Sequence, residues 1–139
     1  MLLPLLSGYR GDAPIDLVAG AAVASTREGD CGPCLQLAVD MALEEGAHPE
    51  NLHRALAGDL AGAGDTGLGY RFARAAIEDG AELALLREEI VASHGESAVV
   101  ALSLAAATGR TWPVIKRGLG HGQACRLVTV GDVTVEAAI

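Results

Sequence analysis

The chain has 139 residues, enough for one domain that buries a single core without disulfides or metals. Half of the residues are hydrophobic but only 3% are aromatic, so Ala, Leu and Val must build the core, which favours close helix-on-helix packing. The net charge of −8, with no basic cluster, argues against nucleic-acid binding and favours a soluble cytoplasmic protein over a membrane-surface protein.

The N-terminal segment starts with apolar residues but has no basic stretch before them. Pro4, Arg10, Asp12 and Asp16 interrupt any continuous apolar run. We therefore expect mature protein here rather than a signal peptide, and no run of the chain reaches the length of a membrane span. Three cysteines, an odd and low number, do not suggest a secreted disulfide framework.

Glycines and prolines divide the first part of the chain into short predicted helices. Asp12 is expected to cap a helix that has Pro14 near its first turn and runs towards Glu28. The stretch GDCGP ends that helix, and the next is predicted from about Pro33 to Glu45, before Gly46.

Further helices are predicted after these. His48 is expected at the N-cap of a helix that starts near Pro49 and carries His53 on its surface. The glycine-rich residues 58–69 are predicted to form a mobile loop. The next two helices are expected to end at Gly80 and Gly95.

The last part of the chain changes its periodicity. Residues 96–109 have almost no polar face and predict a buried central helix, and Thr111 is expected to cap a short helix after it. Residues 126–136 alternate around Gly131-Asp132, which predicts a β-hairpin. The sequence thus predicts one all-α domain over 1–139, with a helical core of about six to seven helices at about 13–122 and a small C-terminal hairpin.

Cys31 and Cys34 enclose Gly-Pro at the predicted start of a helix, and three interpretations are open. A redox dithiol is the first, because a helix N-terminus stabilises a thiolate. The second is a zinc site with His48 and His53, but an intervening helix would place His48 about 20 Å from Cys34. The third is a pair of small buried side chains without chemistry, which is also how we interpret Cys125.

The motif CGPC matches that of thioredoxin, but its surroundings do not. A thioredoxin has a buried strand directly before the motif, whereas the residues here are AGAAVASTREGD, which predict a helix and a loop. The order helix, CxxC, helix, followed by LAVDMALEEGAHPENLHRAL, instead resembles the alkylhydroperoxidase D-like superfamily, which includes the carboxymuconolactone decarboxylases. This stretch spans residues 15–58, and the later helices match the family in rhythm more than in residues.

The resemblance implies a thiol-dependent peroxidase. Redox-active members reduce peroxides through a CxxC disulfide, here Cys31–Cys34, which a partner thiol protein reduces again. Members form homo-oligomers, and the expected ligand is a small hydroperoxide or disulfide, with no cofactor, metal, nucleic acid or membrane. The family pattern adds a glutamate on the preceding helix, for which Asp16 is the shorter substitute. It also adds a histidine four residues after the second cysteine, where this chain has Ala38.

The missing histidine leaves the proton chemistry of the thiols to other residues. Glu28 is a candidate because it is close in sequence, and His121 because glycines flank it, although we favour a loop histidine at a helix end as the interpretation of His121. The polar residues Gln36, Asp40 and Glu44 recur every four positions and predict a solvated face or a subunit rim.

Two alternatives to the peroxidase stay open. The first is a decarboxylase-like enzyme that acts without the cysteines and binds a carboxylate through Arg71, Arg74 or Lys116, although these form no motif. The second is a non-catalytic oligomeric scaffold that has lost the relay histidine.

Overall fold

The computed structural model describes residues 2–29, 32–121 and 127–136, with only the backbone for Leu3, Pro4, Ser7, Leu127 and Glu136. In chain order the helices are α1 (Leu2–Gly8), α2 (Ile15–Glu28), α3 (Gly32–Glu44), α4 (Pro49–Leu56), α5 (Gly64–Glu78), α6 (Leu83–His94), α7 (Glu96–Thr108) and α8 (Thr111–Gly118). The strands β1 (Leu127–Val130) and β2 (Val133–Glu136) pair in antiparallel fashion. The all-α class with a small C-terminal hairpin is confirmed.

Helices α2 and α5 cross at the centre of the core with their backbones in close contact. A Cβ atom on Gly20 would overlap the carbonyl of Thr66, and one on Gly69 would overlap the carbonyl of Leu17. Only glycine permits this approach, because any other residue would push the helices apart. Other residues of α2 are also buried in the core, among them Leu17, Ala19, Ala21 and Val23.

The predicted mobile loop over residues 58–69 is wrong in its second half. Helix α5 already begins at Gly64, and Thr66, Gly67 and Gly69 are buried in its first two turns. The glycines that indicated a loop instead serve close packing, because a Cβ on Gly67 would overlap the carbonyl of Leu60. Only residues 57–63, before the helix, form turns.

Several predicted helix ends shift by a residue or two. Pro14 rather than Asp12 precedes α2, and the Asp12 carboxylate instead accepts a hydrogen bond from Ser97 Oγ at 2.9 Å. Asp79 rather than Gly80 takes the left-handed position after α5, with φ of 52°, and Arg110 rather than Thr111 precedes α8. The prediction at Gly95 is confirmed, since its φ of 88° ends α6.

The predicted central helix α7 is buried on one face only. Ala98, Ala101 and Leu102 pack into the core, whereas Val100 and Ser103 are exposed. The stretch Glu96–Gly118, which spans α7 and α8, is long and apolar enough to cross a membrane by length and composition. The expectation that no run of the chain reaches the length of a membrane span is therefore wrong by this criterion, which a core helix of a soluble protein also meets.

The C-terminal hairpin packs on α3 and α4. Val128 and Val130 are buried, and the two-residue turn closes with Gly131 at a φ of 58°, as a type II′ turn requires at its first central position. The Gln36 side chain on α3 binds the middle of β1: Thr129 N–H donates to Gln36 Oε1 at 2.8 Å, and Gln36 Nε2 donates to the Thr129 carbonyl at 3.0 Å. Asp40 and Glu44 of the predicted polar face are exposed, and Gln36 of the same face is half-buried and anchors the hairpin.

Candidate functional site

Cys34 lies in the first turn of α3, two residues after the helix begins at Gly32. Its side chain is half-buried, and it forms a disulfide. The neighbouring face of α3 fixes its orientation, because Leu35, Val39 and Ala42 are buried in the core. A rigid, well-packed helix thus holds the sulfur at its N-terminal end, where the backbone N–H groups favour negative charge.

Cys34 lines a cavity of about 550 Å³, a volume within the range of small-molecule sites. The walls are mainly apolar side chains of α2 and α3, among them Val18, Ala22, Leu37, Ala38, Met41 and Ala42. Ala38, at the position where the family resemblance predicts a histidine, is part of this wall. Trp112 of α8 closes another side and is itself 58% exposed.

Among the residues described around this cavity, Arg10 and Glu45 are the charged ones. Arg10 Nη1 lies 3.6 Å from Glu45 Oε2, and both side chains are about half exposed. Cys34, Ala38, Met41 and Glu45 follow one another along a single face of α3 and its end. The sequence spacing of these four residues predicts that they share one helix face. No local pattern predicts that Arg10 lies next to Glu45.

Helix α8 holds the end of α2 in place, close in sequence to the cysteine motif. The Arg117 guanidinium donates a hydrogen bond to the carbonyl of Gly29. Pro113 packs against the same glycine so tightly that a Cβ atom there would overlap the proline ring. One residue separates Gly29 from the cysteine motif. Helix α8 therefore has two roles: Trp112 lines the cavity, and Arg117 and Pro113 hold the end of α2.

The structure places the carboxylate of Asp16 at the start of α4. His48 N–H donates to Asp16 Oδ1 at 2.8 Å, His48 Nδ1 lies 2.7 Å from Asp16 Oδ2, and Asn51 Nδ2 donates to Oδ2 at 3.3 Å. Asp16 is buried and does not line the cavity, although its neighbour Ile15 does. His48 is the N-cap residue of α4, as predicted, but its ring binds Asp16 rather than capping the helix.

The other predicted site residues are not brought to the cavity. Glu28 is the half-buried last residue of α2, and His121 is exposed, with its N–H donating to the Lys116 carbonyl at 2.8 Å. Neither lines the cavity. Cys31 and Cys125 lie outside the described residues. Of the four predicted catalytic residues that the structure describes, Cys34 is the one at the cavity wall.

The cationic residues considered for a carboxylate lie elsewhere. Arg71 pairs with Glu82 at 3.4 Å, and the Arg74 guanidinium lies 5.9 Å from the Tyr70 ring centroid. Neither these two nor Lys116 line the cavity. Within the described ranges, no group of three or more His, Cys, Asp and Glu side chains is arranged to hold a metal ion.

Comparison with known proteins gives no relatives: no family model, no curated protein and no solved structure matches the chain.

Proposed function

We propose that this protein is a CxxC dithiol oxidoreductase of the peroxidase type, with an alkylhydroperoxidase D-like fold. Cys31 and Cys34 are the reacting pair. The observation that carries the proposal is the position of Cys34, which is disulfide-bonded in the first turn of α3 at the wall of the 550 Å³ cavity. A sulfur in that position is accessible to a small molecule and sits at a helix end that supports a thiolate.

The reaction consumes two thiols and one hydroperoxide. One cysteine thiolate attacks the terminal peroxide oxygen, the O–O bond breaks, and the departing alkoxide takes a proton to leave as an alcohol. The sulfenic acid so formed is attacked by the second cysteine, which releases water and forms the disulfide. A thiol reductant protein then returns two electrons and two protons by disulfide exchange.

The thiolate is supported here by the helix rather than by a neighbouring histidine. Four residues after Cys34 the chain has Ala38, which cannot accept a proton. Cys34 is the third residue of α3, so its sulfur lies in the first turn, where the backbone N–H groups, apart from the missing one of Pro33, have no partner within the helix. This electrostatic support replaces part of what a base supplies.

The test is to follow the thiols of the reduced protein during reaction with cumene hydroperoxide. We expect peptide mass spectrometry to find a Cys31–Cys34 disulfide, and Cys31→Ser and Cys34→Ser to abolish peroxide consumption. Cys125→Ser is the matched control and should react like the wild type. A disulfide between Cys34 and Cys125, or peroxide consumption while all thiols remain free, would show that the proposal is wrong.

A cytoplasmic location and a homo-oligomeric state accompany this proposal. The exposed side chains of Leu37, Met41 and Trp112 form an apolar border around the cavity, which supports association between copies. Sedimentation analysis of the wild type and of Leu37→Asp tests it: we expect an oligomer that the aspartate dissociates. A wild-type monomer at micromolar concentration would contradict it.

A further inference from the structure

The charged residues of the cavity lie at the end away from the sulfur. Glu45 follows Cys34 by eleven positions, and α3 is continuous up to the preceding residue. A rise of 1.5 Å per residue separates the two positions by about 16 Å along the axis. The walls between them are the apolar side chains of Ala38 and Met41, together with Val18 from α2. The cavity therefore has a sulfur near one end, an ion pair near the other, and an apolar path between.

The ion pair at that end leaves the arginine able to bind a further anion. The 3.6 Å between Arg10 Nη1 and Glu45 Oε2 is too long for a hydrogen bond. Within the described part of the chain no other side chain pairs with the Arg10 guanidinium, which has five N–H donors. A carboxylate can accept two parallel hydrogen bonds, from the N–H groups of Arg10 Nε and Nη2, while Glu45 stays near Nη1.

We propose that the cavity binds an amphipathic carboxylate, a molecule with one acid group and an unbranched apolar chain. Arg10 binds the acid group, and the chain lies along α3 towards Cys34. This ligand class matches the apolar walls and the cationic end of the cavity. The apolar chain would pack against the walls, and the acid group would accept hydrogen bonds from the Arg10 guanidinium. The inference shares the cavity with the proposed function, but binding requires no reaction of the thiols.

The test is titration of the oxidised protein, without reductant or peroxide, with decanoate. Trp112 is the single tryptophan of the chain and lines the cavity, so its fluorescence reports occupancy. Decanol and decylamine serve as neutral and cationic probes of equal chain length. We expect saturable binding of decanoate, at least about tenfold tighter than that of either control ligand.

Variants assign the acid group to Arg10. Arg10→Gln should weaken decanoate binding about tenfold and leave decanol binding unchanged. Glu45→Gln should tighten decanoate binding, because it removes the nearby negative charge. Arg71→Gln is the matched control, since Arg71 is about equally exposed and also pairs with a glutamate, but away from the cavity.

Three results would overturn the inference. The first is equal binding of decanoate and decanol by the wild type, and the second is an equal loss in Arg10→Gln and Arg71→Gln. The third is the absence of saturable decanoate binding by the wild type, whether sedimentation finds a monomer or an oligomer. Binding that follows Arg10 in a protein whose thiols prove inert to peroxide would support this inference and refute only the proposed peroxidase.

Discussion

Replacement of Asp16 distinguishes a structural carboxylate from a proton relay. The proposed function predicts Asp16 as the substitute for a relay glutamate, whereas in the structure Asp16 binds His48 and Asn51 at the start of α4. Asp16→Ala removes both oxygens, and Asp16→Asn keeps one acceptor for the His48 N–H. Both variants remove the negative charge that a relay requires.

The magnitude follows from the three contacts of the Asp16 carboxylate. The hydrogen bond from the His48 N–H, at 2.8 Å to a buried carboxylate, contributes about 1.5–3 kcal/mol. The bond from the His48 ring counts for less than about 1 kcal/mol because that ring is 74% exposed. The Asn51 contact, at 3.3 Å, is long. We therefore expect Asp16→Ala to lower the free energy of unfolding by about 2–3 kcal/mol, and Asp16→Asn by about 1 kcal/mol.

Urea denaturation of the oxidised proteins measures this loss in the free energy of unfolding. We expect the denaturation midpoint of Asp16→Ala to fall by about 1 M. Asp12→Ala is the control, because that carboxylate is exposed, and its loss should cost less than about 1 kcal/mol. In the reduced protein, peroxide-driven disulfide formation in Asp16→Asn should stay within about twofold of the wild type.

Two outcomes would refute this reasoning about Asp16. A tenfold slower disulfide formation in folded Asp16→Asn would restore the relay role. An Asp16→Ala protein as stable as the wild type would show that the carboxylate does not hold α4.

Two further predictions concern the contacts that position α2 and α3. Gly69→Ala should destabilise the protein by about 1–3 kcal/mol or more, because the new Cβ meets the carbonyl of Leu17. Gly118→Ala is the control and should be neutral or stabilising, because there is open space around Gly118. Thermal unfolding of both variants measures the difference in stability, and equal effects would contradict the close crossing of α2 and α5. Gln36→Ala should raise the hydrogen-exchange rate of the Thr129 amide at least about tenfold, and an unchanged rate would show that the hairpin does not depend on this side chain.

The elements with local start and stop signals could be predicted from the sequence. Helix α3 is found within a residue of its predicted bounds, because Gly32-Pro33 forms its first two residues and Gly46 lies just beyond its end. The hairpin also follows its prediction, since alternating valines around Gly131 specify both strands and their register. In each case the determining residues lie within the element itself.

The errors come from residues whose partners are distant in sequence. The glycines after residue 58 have loop composition, but Gly67 and Gly69 lie in α5, where their missing Cβ atoms permit close contact with the carbonyls of Leu60 and Leu17. Arg10 reaches Glu45 from a separate segment, so no local pattern marks it as part of the cavity. Asp16 is typical of a helix start, but its partners are 32 and 35 residues away.

The contact between Gln36 and Thr129 also bears on self-association. A two-stranded hairpin has open edges whose free N–H and C=O groups can pair with a strand from another molecule. At the middle of β1 the outward-facing N–H and C=O both belong to Thr129, and the Gln36 amide occupies them as a neighbouring strand would. One side chain thus terminates the sheet at that edge, and its loss would expose a template for edge-to-edge aggregation.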